Sequence, residues 1–397
     1  MVEICPENLC CGCGACVNIC PRNSISLKQN EEGFFFPEID NQTCVDCQLC
    51  IKSCPANSVP AYNKAQESVY AAWALDDNIR KTSSSGGVYS VLANYILSQG
   101  GVANGVRFNG ELLAVHGLFD NPEDIKSCRG SKYVQSYPGN IYSEVKAALL
   151  SGKKVLFTST PCQVNALYRF LGKNYENLYT CDFVCHGVPS PQYLQNCVNK
   201  MTGGADDISE VTFRNLSGWA GYKLRAYGKK SSFDEQVIDN SYIKTFLAGA
   251  NCRYACYSCP FARNERVADI TIGDFWGLGK YKPFLHDISS GVSLLIVNNE
   301  KGEKLFSEVK DQLFTQLRTF HEAARDNHQL CRNVSLPANR ADFYRDAENL
   351  SFNELVKKYG ISESQLKKIL FLPIRVLSKI YRTAIEIYCR IKKLLQP

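Results

Sequence analysis

No run of uncharged apolar residues in this 397-residue chain reaches the length needed to cross a bilayer. The opening MVEICPENLCC carries an acidic residue and lacks the basic-then-apolar stretch of a secretory signal. Both absences predict a cytoplasmic, reducing setting. Gly-x-Gly-x-x-Gly and the Walker loop are missing too, so the ordinary nucleotide-binding fingerprints give no help. A field of one charge sign is absent from the body of the chain. The net charge is +6, yet from Leu366 onward eight basic residues stand against Glu386 alone, which leaves the remainder near −1. Nothing in a nearly neutral body suggests a nucleic-acid groove, and no nucleic-acid partner is expected.

What the chain has in excess is cysteine: twenty in all, ten of them in the first 54 residues. Disulfide frameworks of that density belong to small secreted domains, whereas this chain is long enough for two or three domains and is 45% hydrophobic. In a reducing compartment such clustering means metal or redox chemistry.

The spacing is regular. Cys10, Cys13, Cys16, Cys20 and Pro21 form C-x-x-C-x-x-C-x-x-x-C-P, and Cys44, Cys47, Cys50, Cys54 and Pro55 repeat it 34 positions later. Asn23, Ser24 and Ile25 extend the echo to Asn57, Ser58 and Val59. This is the bacterial-ferredoxin run, in which three cysteines of one motif and the fourth of the other hold each iron–sulfur cube. It predicts one 4Fe-4S cluster on Cys10, Cys13, Cys16 and Cys54, and a second on Cys44, Cys47, Cys50 and Cys20. Gly12 and Gly14 permit the sharp bends between thiolates. Structural zinc favours paired C-x-x-C knuckles around one tetrahedral site, which two consecutive four-cysteine runs fit poorly. Cys5 and Cys11 fall outside the register and read as spare thiols.

Beyond Pro60 the pattern changes to alternating strands and helices. SSSGGVYSVLANYILSQGG leads into apolar residues at helical spacing, and KKVLFTSTPCQVNALYRFL reads as a strand to about Phe157, a cap at Thr160 and a helix begun by Pro161. NLYTCDFVCHGVPSPQYLQNCV repeats that order, and ADITIGDFWG and GVSLLIVNN read as strands. Such alternation predicts a sheet with substantial parallel character, whose ligands lie where strands pass into loops. Cys162 sits there at a helix start expected to favour its thiolate, with Cys185 at the end of its own strand. Together with Cys256 and Cys259, a C-x-x-C with Cys252 just upstream, they are enough for a third cluster. The plainer alternative makes Cys162 and Cys185 small buried hydrophobes. The serine–glycine turn is equally readable as a phosphate cradle or as a helix cap. His186 is a candidate proton donor or a group supporting a cluster, and Asp274 is similarly placed.

At this point the sequence resembles the beta subunits of coenzyme F420 hydrogenases and dehydrogenases, a family that also includes 7-hydroxymethyl chlorophyll a reductase. The stretches that carry the likeness are SSSGGVYSVLANYIL, RGSKYVQS, VLFTSTPCQVNAL, DFVCHGVPSP and CYSCPFARNERVADITIGDFWG. The resemblance implies FAD, with FMN the alternative, beside a cluster held by Cys162, Cys185, Cys256 and Cys259, with Cys252 in reserve. It implies flavin phosphates near Ser83, Ser85, Gly86 and Gly87, with Lys132 and Tyr133 nearby. The expected function is an oxidoreductase relaying single electrons through 4Fe-4S clusters to or from a flavin that exchanges a hydride with an organic substrate. The alternative is an electron-transfer subunit without its own substrate, docked on a redox partner such as ferredoxin or a reductase or hydrogenase subunit. The expected fold is α/β: a ferredoxin-like segment over 1–62, then a mixed, largely parallel sheet with flanking helices over 63–340, divided near 140. A helical basic tail follows over 341–397. Ile374, Leu377, Tyr381, Ala384, Tyr388, Ile391 and Leu395 give that tail an apolar face suited to peripheral membrane contact, a partner helix or a sister subunit in a homo-oligomer.

Overall fold

The computed structural model describes residues 2–64, 68–205, 207–214, 222–229, 231–236 and 241–361. The basic tail from 366 onward lies outside the described residues. Near the N-terminus, strands β1 (Ile25–Gln29) and β2 (Phe35–Ile39) form an antiparallel hairpin flanked by two five-residue helices, Ala15–Ile19 and Leu49–Ser53. The helices are the repeat made visible. Each begins after a left-handed residue, Gly14 with φ 75° and Gln48 with φ 59°. The echo ends beyond the prolines, because Ile25 is buried in β1 whereas Val59 is 88% exposed and lies in no strand.

The body is built on β3 (Val69–Ala74), β4 (Val102–Phe108), β5 (Ala114–Phe119), β6 (Val155–Ser159) and β7 (Leu178–Phe183). Then come β8 (Ile208–Arg214), β9 (Tyr222–Gly228) and β10 (Ser232–Gln236), and finally β11 (Ile270–Asp274), β12 (Ser293–Val297) and β13 (Leu313–Arg318). Eight of these form one mixed sheet in the order β13-β3-β12-β11-β7-β6-β4-β5. Its centre, β11, β7, β6 and β4, is parallel, and the flanking pairs are antiparallel.

Both faces are covered, which explains why β6 and β12 are buried at all five positions. Leu156 faces the helices Val88–Ser98 and Glu300–Val309, while Val155 and Phe157 face Ile141–Leu150 and Pro161–Leu171. A second antiparallel sheet, β10-β9-β8, packs on the helix Pro191–Thr202 and the segment 343–359 around Phe213, Leu224 and Tyr242. Sequence periodicity does not reveal it. Register shifts between Ile208 and Glu210, and between Thr212 and Arg214, break the alternation that would mark a strand.

The N-terminal segment is fastened to this body by buried and partly buried polar contacts. The Tyr142 hydroxyl donates to the Cys13 carbonyl at 2.8 Å, Asn18 donates to Gly139 at 2.7 Å, and Arg340 grips both Glu32 oxygens at 2.8 Å. A Cβ on Gly14 would collide with Pro138, so the segment seats closely there.

Between β7 and β11 lies a fully buried ion pair, Asp182–Arg266 at 3.1 Å, joined by the Thr271 hydroxyl at 2.6 Å. It ties together the two strands whose following or preceding loops carry Cys185 and Cys259. Removing one partner of such a pair costs about 3–5 kcal/mol, because the other charge stays buried and uncompensated. Asp182→Ala is therefore expected to lower the unfolding free energy from a denaturant titration by that order, with the double substitution Asp182→Ala/Arg266→Leu recovering much of the loss.

Candidate functional site

The carboxyl ends of β6, β7 and β11 open onto one large cavity of about 440 Å³. β6 delivers Thr160 as the N-cap, then Pro161 and Cys162 at the first two positions of the helix Pro161–Leu171. β7 passes directly into Val184, Cys185 and His186, and β11 ends at Asp274. The connection from Asn251 to Arg266 brings Cys252, Cys256 and Cys259 back beneath the same rim. Cys162, Cys185, Cys256 and Cys259 all line the cavity.

Cys185 lies near Cys162 and Cys259, and Cys256 near Cys252, Cys185 and Cys259. Gly187 lets the chain approach, since a Cβ there would stand 2.8 Å from the Cys252 sulfur. Burial pushes the Cys185 thiol up to about 12 and Cys259 to about 11. Cys162 departs from the expectation of a helix-favoured thiolate. The neighbouring Cys11 thiol, and then burial, raise it well above its ordinary range, outweighing the Thr160 hydroxyl and the Gln163 amide. A metal ligand must lose that proton, so occupancy by metal and deprotonation are coupled.

In the N-terminal segment the thiols fall into neighbouring groups. Cys20 shares one small cleft with Cys44, Cys47 and Cys50, while Cys16 lies near Cys10, Cys54 and Cys50. Cys13 faces Cys10 and Cys16. Cys5 and Cys11 are not idle. Cys5 is hydrogen-bonded between Cys10 and Cys54, and Cys11 between Cys13 and Cys162. Cys11 and Gly12 also line the large cavity, so the N-terminal thiols and those of the sheet rim meet at one place. Cys252 is fully buried, with its sulfur 3.9 Å from the His186 carbonyl.

Profiles of the Coenzyme F420 hydrogenase/dehydrogenase beta subunit match the chain over 69–140 (N-terminal part) and 152–323 (C-terminal part), together more than half of it. The chain belongs to this beta-subunit family. A 4Fe-4S dicluster domain matches residues 9–58. No curated protein matches the sequence. A chain from the F420-reducing NiFe hydrogenase complex of Methanosarcina barkeri is similar at 18% identity with a TM-score of 0.45, over 76% of this chain and 95% of that one. The family and dicluster matches make this beta-subunit-family chain an iron–sulfur electron-transfer protein with an oxidoreductase role. None of its described helices is long and apolar enough to cross a membrane.

The serine–glycine turn that the family likeness singled out is divided in its duties. Ser83, Ser85 and Gly87 line the cavity, but Gly86 does not. A Cβ on Gly86 would collide with the Ala72 carbonyl, and its amide donates to the Ser293 hydroxyl at 2.9 Å, so its place is against β3. The Ser83 and Ser85 hydroxyls donate to the carbonyls of Ile79 and Val292 at 2.7 and 2.9 Å, and their hydrogens are therefore not free for a phosphate. Further donors border the cavity. The helix Val88–Ser98 starts at Gly87 (φ 84°) with no side-chain cap, and Arg129 stands over its first turn, bound to Ser90 at 3.0 Å and Thr82 at 2.8 Å. Arg129 lines the cavity, and it opens the RGSKYVQS stretch that carries the family likeness, which singles out only Lys132 and Tyr133 there.

The remaining wall is aromatic. Tyr133 lies against Phe246 with centroids 5.2 Å apart, and its hydroxyl accepts from Arg214 at 2.8 Å. Arg214 pairs with Asp274 and stands 4.4 Å over the Tyr222 ring and 5.1 Å from Trp276. Sequence reading missed Arg214, Tyr222 and Trp276. Lys132 also lines the cavity and donates to the carbonyls of Cys128 and Arg129 at 2.9 Å, while burial holds it down at about 8. His186 lines the cavity as well. Its Nε2 faces the Phe246 carbonyl at 3.0 Å, which can only accept, so that hydrogen is committed to the main chain. Burial keeps its pKa low, which suits holding the strand-end loop better than protonating a substrate.

Behind the rim, His116 bonds Ser136 at 2.9 Å, Gln163 at 3.2 Å and Asn104 at 3.3 Å, and burial depresses it to about 4. The folded chain therefore holds it neutral, while the unfolded chain takes up the proton near its ordinary value of 6.5. Its contribution is complete above about pH 6.5 and is lost as pH falls toward 4. His116→Gln is expected to flatten the fall in thermal midpoint between pH 7 and pH 4, by roughly 1–3 kcal/mol of pH-dependent stability.

Proposed function

We propose that the chain holds three 4Fe-4S clusters and one FAD, and works as a flavin-dependent reductase or dehydrogenase coupled to a redox partner protein. The observation that carries this reading is the single cavity lined at once by Cys11 and Gly12, by Cys162, Cys185, Cys256 and Cys259, and by the Ser83–Gly87 turn. Two clusters fall to Cys10, Cys13, Cys16 and Cys54, and to Cys20, Cys44, Cys47 and Cys50. The third falls to Cys162, Cys185, Cys256 and Cys259, with Cys252 packed behind them.

The donor sets suit such groups. Soft thiolates select iron–sulfur clusters, and each set unites cysteines that share a cleft or face one another. About 440 Å³ lies within the range of cofactor pockets, mostly apolar with a few placed polar groups. When bound, the clusters pass single electrons and the flavin exchanges them in pairs for a hydride.

The chain's own residues then bind, orient and exclude water. Arg129 and the uncapped helix start offer N–H donors to a pyrophosphate. Tyr133 and Trp276 offer flat faces to a ring system. The Arg214–Asp274 pair holds Tyr133 and fixes that wall. Cys47 is exposed, with Val45 58% and Leu49 38% exposed beside it, which gives the partner protein its approach.

Anaerobic purification with iron, sulfide and flavin quantitation tests the reading. The expected result is about twelve irons and one flavin per chain. Zinc in place of iron, or iron without flavin, defeats it. Replacing Cys162 and Cys185 together by serine is expected to remove about four irons and leave the N-terminal eight. Arg129→Ala is expected to weaken FAD binding roughly 10- to 100-fold in a fluorescence titration, the scale of one charge-assisted hydrogen bond.

A further inference from the structure

Among the described residues five arginines are buried: Arg214, Arg253, Arg266, Arg318 and Arg340. Four of them pair with a carboxylate, on Asp274, Asp182, Glu322 and Glu32 respectively. This is the usual requirement, since a cation removed from water without a counter-charge is strongly unfavourable.

Arg253 is the exception. It is 1% exposed and has no carboxylate partner among the described residues. Its Nε donates to the Cys10 carbonyl at 2.5 Å and its Nη1 to the Phe35 carbonyl at 3.1 Å. Its Nη2 is buried without a partner. The guanidinium lies 3.7 Å over the Phe36 ring and 5.4 Å from Phe34, neutral faces that soften the burial without cancelling the charge. The contact with the Cys10 carbonyl sets the guanidinium beside the residue that carries the Cys10 thiol. On its own main chain it follows Cys252 directly, and its amide donates to Val188 at 2.9 Å. One residue thus joins the loop of Cys252, Cys256 and Cys259 to the first thiol of the N-terminal motif.

We infer that Arg253 is the counter-cation of the cluster held through Cys10, and that its positive charge raises that cluster's reduction potential above the value a neutral residue would allow. The inference rests on the proposed cluster assignment. Four thiolates around a cube leave a net negative charge that grows by one on reduction, and a fixed cation in a low-dielectric setting favours the more negative state. A potential set this way draws an electron onto the N-terminal cluster nearest the rim, next to Cys11 and Cys162. Arg253 acts on the relay as a positioning and tuning residue, through the cluster.

Redox titration of the full chain, followed by electron paramagnetic resonance, reads this without any turnover. Wild type, Arg253→Lys and Arg253→Met are compared after iron and sulfide quantitation. The expected result is one cluster signal moved to more negative potential in Arg253→Met, held close to wild type in Arg253→Lys, with the other clusters unmoved. Should Arg253→Met fail to retain that cluster, Arg253→Lys must still retain it at the wild-type potential. A fully loaded Arg253→Met with unshifted potentials overturns the inference, as does an equal shift or equal loss in both variants, which would make the residue a mere rivet between Cys10 and Phe35. Wild-type protein devoid of cubes instead overturns the cluster assignment itself, and the iron count separates the two failures.

Discussion

The arrangement depends on one constraint: many sulfurs of like charge must be gathered into a small, poorly hydrated space. Burial alone pushes Cys185, Cys256 and Cys259 toward their protonated forms, and neighbouring thiols add to the effect. The fold answers with cations placed close by. Arg266 lies near both Cys185 and Cys259, and Arg253 reaches Cys10. The two differ in kind. Arg266 is already neutralised by Asp182 and acts at one remove, through a pair that also braces β7 against β11, whereas Arg253 brings an uncompensated charge.

The parallel centre of the sheet sets where this can happen. Strands β6, β7 and β11 end together, so loops distant in sequence reach a common edge. Pro161 starts a helix at once after β6, which keeps Cys162 at the edge rather than allowing it to trail into a loop. The N-terminal segment is then closed over that edge by contacts involving Tyr142, Arg340 and Arg253. Cys11, outside the ferredoxin register, occupies the seam between the two sets of thiols.

Much of this was legible in the sequence because it rests on local chemistry. The C-x-x-C-x-x-C-x-x-x-C-P runs dictate their own turns, and the strand–cap–proline–helix order around Cys162 is a short-range signal; both appear where expected. Gly86 is harder to read, because the same residue type serves a phosphate cradle and a close strand contact, and the contact with the Ala72 carbonyl is not visible in the sequence. Arg129, Arg214 and Arg253 were invisible for a different reason. An arginine's meaning lies in what it meets across the fold, and their partners stand between 39 and 243 positions away. The β8–β10 sheet was hidden by its register shifts, and it supplies Arg214 and Tyr222 to the cavity wall.

Exposure also gives the thiols an order. Cys47 stands open to solvent beside Val45 and Leu49, Cys16, Cys50 and Cys54 are buried behind it, and Cys13 touches Cys11, which touches Cys162 at the cavity. A chain that only needed metal for stability would gain nothing from such a progression, since structural sites are closed and independent of one another. Electron transfer does need it: one end must be reachable by a partner, the other must adjoin the chemistry, and water must be kept from the centres between. On the proposed assignment, the fold meets those three demands by placing the ferredoxin-like segment as a bridge between the surface and the sheet edge, with Arg253 fixed at the inner end of the bridge.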